Sequence, residues 1–167
     1  MRLDPANQGF TLLELMLVIS IIASTCAIGF PVIGEMQAKS VVKQTANALL
    51  SFIQQAKAKA IFSHTWVDVS LIGNSESSPA RFVAAGRGSH RVLSSLALMD
   101  NQSLDISSHY GLSQCAINGQ SGKLTNGHWK IQSTIRQDIV LRVVTSHGAS
   151  RIRICSEGEK WGQFSKC

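Results

Sequence analysis

The 167-residue chain has few aromatic residues and few prolines, and both shortages exclude classes of protein. Aromatic residues make up 6% of the sequence and there are only three prolines, which argues against an aromatic-rich binding module and against a proline-rich disordered tail. No internal repeat is visible. The length suits one domain of ordinary size with an appendage.

Motifs of enzymes and metal sites are also missing from the sequence. No C-x-x-C pair or paired histidine spacing predicts a metal site, and no phosphate-binding loop, dinucleotide-binding loop or nucleophile motif is complete. The sequence therefore predicts a protein that is not an enzyme and that has no cofactor. The five histidines are far apart along the chain, and each is predicted to be a surface or turn residue: His64, His90, His109, His128 and His147.

Positive charge is in excess, with sixteen Lys and Arg residues against ten Asp and Glu residues. Seven basic and only three acidic residues lie in the last forty positions, from 128 to 167. Such a balance favours polyanions such as nucleic acid, anionic lipid or polysaccharide. The alternative is a solvated basic surface without any such partner.

The four cysteines have different settings. Cys26 lies in an apolar block and is predicted to be a small buried apolar residue. Cys155 and Cys167 enclose a short terminal loop of the kind that a disulfide closes in an oxidising compartment. A bridge between Cys115 and Cys155 is the alternative, and the sequence does not choose between the two.

An apolar run from Phe10 to Phe30 is the most distinctive feature of the sequence. As a helix, these residues would rise about 31 Å, close to the thickness of the hydrocarbon layer of a membrane. A cleaved secretory signal would need a more cationic start and a shorter apolar core. A plain membrane anchor has little use for Glu14, because an acidic side chain inside a membrane costs about 2.5–3.5 kcal/mol. A specialised segment, in which Glu14 has a partner, is therefore favoured.

The residues G-F-T-L-L-E-L at 9–15 resemble the type III signal of type IV pilins and type II secretion pseudopilins. In that family a prepilin peptidase cuts after the glycine and methylates the new terminal phenylalanine. The resemblance implies that Gly9 is the cleavage glycine, Phe10 the methylated N-terminus and Glu14 the acidic residue used in assembly. Pro31 lies where many such proteins kink their long helix.

The resemblance also implies a physical role for Glu14. After cleavage, Phe10 presents an amine at the head of an apolar helix. In a filament this amine would lie near Glu14 of a neighbouring subunit and offset the cost of burying the carboxylate. Glu14 would then set the register between subunits, as a buried polar residue does in a coiled coil.

Helical periodicity continues after Pro31 and Gly34, and one face of the predicted helix is apolar. The predicted core-facing residues are Val42, Thr45, Leu49, Phe52, Ile53, Ala56 and Ala60. The stretch LLSFIQQAKAKAIFSHTWVDVSL is similar to the end of the helix and the first strand in the GspH/FimT branch of the pilin-like proteins. Lys57 stands where that branch usually has arginine.

From residue 65 onward the pattern changes to alternation between apolar and polar residues. Strands are predicted at 65–72, 80–85, 90–99, 103–107, 128–135, 138–146 and 150–155. The predicted fold class is α+β, with a long N-terminal helix packed on an antiparallel sheet. The predicted divisions are a cleaved leader at 1–9, a transmembrane and filament-core helix at 10–30, an amphipathic helix at 31–64 and a periplasmic domain at 65–167.

The segment SRIRIC near the C-terminus predicts a surface for DNA. Arg151 and Arg153 alternate with isoleucines, so both guanidinium groups would project from one face of a strand. Lys160 and Lys166 follow in the terminal loop. Cations with nearby aromatic residues are what DNA binding without sequence preference uses. Some FimT-type pilins have a similar Gly-Arg-x-Arg segment and serve DNA uptake, whereas Ser150 replaces that glycine here.

The predicted function is that of a minor pilin at or near the tip of a type IV pilus. The predicted location is the bacterial inner membrane, with one pass and a periplasmic C-terminal domain, and later the extracellular pilus. The predicted partners are other pilins, the prepilin peptidase, the inner membrane and double-stranded DNA. The alternative is the H-type pseudopilin of a type II secretion system, in a periplasmic pseudopilus and without bound DNA.

Overall fold

The computed structural model divides the chain into two compact units, residues 1–36 and 37–167. It describes residues 11–73, 80–88, 91–98, 103–112, 114–158, 161 and 164–167, without the side chains of residues 27–32. Helix α1, Leu12–Ser63, is the single long helix of this described part and contributes residues to both units.

In the second unit, α1 buries one face. The buried positions recur every three or four residues, as expected of a helix with one apolar stripe. They are Ala38, Val42, Ala46, Leu49, Phe52, Ile53, Ala56 and Ala60. The predicted face is therefore correct except at Thr45, which is only half-buried, while its neighbour Ala46 is fully buried in its place.

Eight strands follow the helix in the described part of the chain. They are β1 (Val67–Ile72), β2 (Arg81–Gly86), β3 (Val92–Ala97), β4 (Leu104–His109), β5 (Gln114–Ile117), β6 (Gly127–Ser133), β7 (Val140–Ser146) and β8 (Arg151–Ser156). Seven lie where strands were predicted. Strand β5 was missed because its four residues are too few to display a repeat of two.

The strands form two antiparallel sheets rather than one. The first sheet has the order β3-β2-β1-β5 and the second has the order β4-β6-β7-β8. The α+β prediction is confirmed, since a helix is followed by antiparallel sheets. This order of elements is consistent with the pilin fold that the resemblance implied. The division into two sheets could not be predicted, because strand alternation does not say which strands pair.

One core joins the second half of α1 to both sheets. Trp129 of β6 is fully buried at its centre, with its ring 5.8 Å from that of Phe82 and 4.4 Å from that of Tyr110. Buried side chains from the helix and from β1, β5 and β7 belong to the same cluster. Residues 37–167 therefore bury their apolar side chains within one unit.

One glycine allows a close approach between a turn and the end of the helix. A Cβ atom at Gly119 would lie 2.4 Å from the backbone oxygens of Ala60 and Thr65. Any other residue would therefore push the turn after β5 away from the C-terminal end of α1.

The helical segments that the structure describes include none with both the length and the apolar character needed to cross a membrane.

Candidate functional site

The described part of the first unit begins with a helix cap. Thr11 precedes α1, and its hydroxyl accepts a hydrogen bond of 3.3 Å from the backbone N–H of Glu14. Thr11 and Glu14 have the spacing of a capping box, in which a hydroxyl and an acidic residue three positions later satisfy free N–H groups at the helix start. Sequence reasoning missed this role of Thr11, although the T-L-L-E pattern could have indicated it. Gly9 and Phe10 lie outside the described residues.

The apolar side chains at the start of α1 are exposed within this single chain. Leu12 is 75% exposed, Leu17 54% and Ile22 56%. An exposed apolar surface of this extent marks a place where another protein or a lipid packs. Cys26 is also exposed, so the prediction that it is buried was wrong for the isolated chain. The helix around Cys26 is not covered by any other described part of the chain.

The helix assignment continues through Pro31. The side chain of Pro31 lies outside the described residues, so the kink stays a prediction.

In the second unit, β8 places Arg151 and Arg153 on one face. Both side chains are exposed, while Ile152 and Ile154, which alternate with them, pack partly against the core. Strand β8 is at the edge of its sheet and pairs only with β7 among the strands. The alternation of β8 thus separates two arginines in solvent from two isoleucines on the core side.

The C-terminal tail is fastened to the end of β8. A disulfide joins Cys155 to Cys167. The Ser156 N–H donates to the Ser165 carbonyl at 2.9 Å, and the Cys167 N–H donates to the Ser156 carbonyl at 3.0 Å. Lys166 is exposed and pairs with Ser156, the last residue of β8, so it lies at the opposite end of the strand from Arg151. Lys160 lies outside the described residues.

The remaining cysteine of the second unit is a buried free thiol. Burial raises the pKa of Cys115 to about 11, and hydrogen bonds with Thr145 and Tyr110 lower it in part. Desolvation and the nearby Cys115 likewise raise the pKa of Tyr110, whose hydroxyl lies 3.0 Å from that of Thr145. Cys115 is thus a neutral core residue and not the disulfide partner of Cys155.

The arginines of the second unit differ in their pairing. Arg87 forms two hydrogen bonds with Asp68 at 2.6 and 2.9 Å, and Arg142 forms two with Glu157 at 2.5 and 2.9 Å. Arg136 is held by Asp138 in the same way. Among the described residues, neither Arg151 nor Arg153 forms an ion pair. Their charges are therefore available to an external anion.

These two arginines line a groove of about 440 Å³ on the second sheet. Its other walls come from β6, β7 and the turn between β7 and β8, and include His128, Val144 and Ser146. The register places His109, His128, Val144 and Arg153 side by side across β4, β6, β7 and β8. Cross-strand partners share a face of the sheet, so one row of side chains crosses its whole outer face.

His109 and His128 lie together on the outer face of the second sheet, although they are far apart in sequence. Their rings stack with centroids 4.5 Å apart and nearly parallel planes. Strand pairing brings them together across nineteen positions of sequence, which no local pattern indicates. Desolvation, His109, Arg142 and Lys130 lower the pKa of His128, while Glu157 opposes them. The described residues contain no group of three or more His, Cys, Asp and Glu side chains able to hold a metal ion.

Lys57 has a role that sequence reasoning did not anticipate. Its Nζ atom donates to the carbonyl and to the hydroxyl of Ser150, each at 2.9 Å. Ser150 has φ of 49°, a left-handed conformation that glycine adopts more easily, and its hydroxyl also donates to the Gly122 carbonyl. Lys57 and Gly122 thus hold the backbone immediately before Arg151.

Residues 4–30 match the prokaryotic N-terminal methylation motif. This motif is the signal of type IV pilins and pseudopilins, and it supports a pilin-like protein that a prepilin peptidase processes and that assembles with other pilins. Such proteins are structural rather than catalytic. Comparison with curated proteins found no match, and comparison with solved structures found none. The motif covers the N-terminal segment alone. Any inference about the function of residues 37–167 therefore depends on the structure of that unit.

Proposed function

We propose that the chain is a minor pilin of a type IV pilus, made as a prepilin in the bacterial inner membrane. Prepilin peptidase cuts after Gly9 and methylates Phe10, and the subunit joins the filament at or near its tip. The match of residues 4–30 to the methylation motif carries this proposal. The alternative within the same coarse class is the H-type pseudopilin of type II secretion, whose filament stays in the periplasm.

Residues 10–30 serve in this proposal first as the anchor in the inner membrane and then as the packing surface in the filament. The exposed side chains from Leu12 to Ile22 support both uses, since each supplies the apolar surroundings that the chain itself does not. Glu14 then accepts the charge of the Phe10 amine of a neighbouring subunit. Pro31 kinks the helix in this proposal.

The finer proposal is that the second unit binds double-stranded DNA through β8. The observation that supports it is the contrast among arginines, because Arg151 and Arg153 have no carboxylate partner among the described residues, whereas Arg87, Arg136 and Arg142 each have one. Guanidinium groups without internal partners neutralise phosphates at little desolvation cost. Lys166, at the far end of β8, extends the contact along the edge of the sheet, and Lys160 stays a further candidate from the sequence.

Mass spectrometry of the protein from cells that have prepilin peptidase tests the processing step. The expected product lacks residues 1–9 and carries one additional methyl group at Phe10. An intact leader in those cells would overturn the proposal that the chain is a prepilin. Cells without the peptidase provide the control and should contain only the full-length chain.

Titration of duplex DNA with the full chain in a nonionic detergent tests the finer proposal and separates the two roles. Binding should weaken as salt rises, and Arg151→Ala with Arg153→Ala should reduce the slope of log K against log salt by about 2. The matched control removes two exposed arginines elsewhere on the unit, Arg81→Ala with Arg136→Ala. Absence of binding by the unmodified chain at low salt would favour the pseudopilin role. An equal loss in both double variants would contradict a specific role of β8.

A further inference from the structure

The stacked pair His109 and His128 lies beside the arginines of the proposed DNA surface. His128 lines the same groove as Arg151 and Arg153. It stands in the row that runs from His109 through Val144 to Arg153. A positive charge on His128 would therefore attract any anion that occupies the groove.

We propose that His128, backed by His109, is a protonation-dependent part of the DNA-binding groove, so that DNA binding takes up a proton and strengthens as the pH falls. This inference rests on the proposal that β8 binds DNA. It extends the binding surface from the edge strand across the outer face of the second sheet, and it adds a regulation that the arginines alone do not provide.

Charged groups reach His128 from every strand of its sheet. Most of them are cationic, and of the two acidic ones Glu157 is already bound to Arg142, while Asp105 pairs with Gln132 at a different level of the sheet from His128. These groups are His109 and Asp105 on β4, Lys130 on β6, Arg142 on β7, Arg151 and Arg153 on β8, and Glu157 after β8. A proton on His128 therefore enters a cationic face and is unfavourable in the free protein.

A phosphate in the groove reverses this balance. The Nε2 atom of His128 is covered and has no hydrogen-bond partner among the described residues. A phosphate beside Arg153 supplies negative charge to the face that disfavours the imidazolium, so the pKa of His128 is higher in the complex than in the free protein. Linkage then requires that affinity rise as pH falls from the bound-state pKa to the free-state pKa. The free-state pKa, which is the lower end of this window, lies below the ordinary histidine value of about 6.5.

The test compares duplex DNA binding by the full chain, in nonionic detergent and at fixed ionic strength, near pH 5.5 and near pH 7.5. Each added phosphate contact should raise affinity about threefold to fivefold at moderate salt. At the lower pH the slope of log K against log salt should also be steeper by about 0.9 for each protonated imidazole.

Matched variants identify the histidines responsible. His128→Gln, alone and with His109→Gln, should remove most of the pH effect, so that the ratio of the affinities near pH 5.5 and near pH 7.5 falls towards one. His64→Asn is the control, since His64 is exposed outside the groove and asparagine tolerates its φ of 51°. This variant should keep the pH effect of the unmodified chain. Circular dichroism at both pH values verifies that each variant is folded.

The outcomes separate the two proposals. If the unmodified chain binds DNA and His128→Gln shows the same ratio of affinities at the two pH values, the histidine inference is overturned and the proposed function stands. If the chain binds no DNA at low salt at either pH, both are overturned. If Arg151→Gln with Arg153→Gln weakens binding but keeps the pH ratio, the histidines act as an additional contact, as proposed.

Discussion

In residues 12–26 the side chains are mostly apolar and all are exposed, whereas in residues 37–167 apolar side chains from a helix and two sheets are buried in one core. The first region therefore depends on another molecule to cover it, while the second completes its own packing. Charges differ in the same way. Glu14 forms no ion pair among the described residues, whereas three of the seven arginines in residues 37–167 each pair with a carboxylate of that unit.

The difference indicates which part of each region is functional. In a unit that completes its own packing, a charged side chain or an apolar surface without an internal partner is a candidate contact for another molecule. By this criterion the exposed apolar side chains of residues 12–26 form the candidate assembly surface. In the second unit, the outer face around Arg151, Arg153 and His128 is the candidate contact, because other arginines of the same unit are neutralised by carboxylates.

The largest expected effect is a loss of incorporation into filaments, caused by a substitution in the first region that leaves the second region unchanged. Glu14→Gln keeps the size and hydrogen-bonding capacity of the side chain but removes its charge, so the amine of the neighbouring Phe10 would be buried without compensation. A loss of about 3 kcal/mol, or about 100-fold, in incorporation is expected. Immunoblots of sheared filaments measure it, with Ser24→Ala as a control because that hydroxyl bonds only to its own helix. Normal incorporation of Glu14→Gln would exclude the charge-based role.

The next largest effect is a loss of stability in the second region, caused by removal of its disulfide, with the first region unchanged. Cys155→Ala with Cys167→Ala opens the loop closed by the disulfide, and the free energy of unfolding should fall by about 3 kcal/mol. Denaturant titration measures the change. Cleavage of the leader should continue, and Cys26→Ala, at an exposed free cysteine, should unfold like the unmodified chain. An unchanged midpoint in the double variant would show that the tail contributes nothing to stability.

A smaller effect concerns the backbone that positions Arg151. Ser150→Ala loses the hydroxyl bonds to Lys57 and Gly122 and keeps a Cβ atom in a left-handed conformation, whereas Ser150→Gly loses the bonds but relieves the conformation. The glycine variant should therefore be more stable than the alanine variant by about 1 kcal/mol in thermal or denaturant unfolding.

The neighbouring residue provides the control for this comparison. Ala149 is exposed, and its φ is not positive, so Ala149→Gly should lower stability instead of raising it. Equal stabilities of the two Ser150 variants would contradict the interpretation that the left-handed backbone costs free energy.

The smallest expected effect is the pH dependence of stability that arises from His128. Because desolvation and cationic neighbours lower its pKa in the folded state, the unfolded chain binds more protons at mildly acidic pH. Stability should be highest above the ordinary histidine value of about 6.5 and should fall as the pH drops through the folded-state pKa. Denaturant unfolding near pH 7.5 and near pH 5.5 measures the change, which should be smaller in His128→Gln. A larger decline in that variant would reverse the assigned sign.

Much of the fold could be predicted from local pattern. The repeat of three to four residues located the buried face of α1, and alternation located seven of the eight strands. Strand β5 was missed because it is short and follows a polar stretch. Pairing order was beyond prediction, since contacts such as His109 with His128 are set by which strands neighbour each other and not by any local repeat.

The candidate site divides in the same manner. Arg151 and Arg153 were predicted to share a face because alternation within one strand is a local property. The groove, the histidine stack and the support from Lys57 involve residues that are distant in sequence, so they emerged only with the fold. The helix cap at Thr11 is a local feature, since Thr11 and Glu14 have the spacing of a capping box, and it was therefore predictable from the sequence.

By itself, the sequence determined that the N-terminal segment is of the pilin-like class, because the methylation motif is a linear pattern that matches residues 4–30. The tertiary structure alone decided which charges remain for a partner. An arginine in the sequence is only a charge, and it is the pairing of strands and loops that places a carboxylate against Arg142 and leaves Arg151 and Arg153 beside a histidine in an open groove.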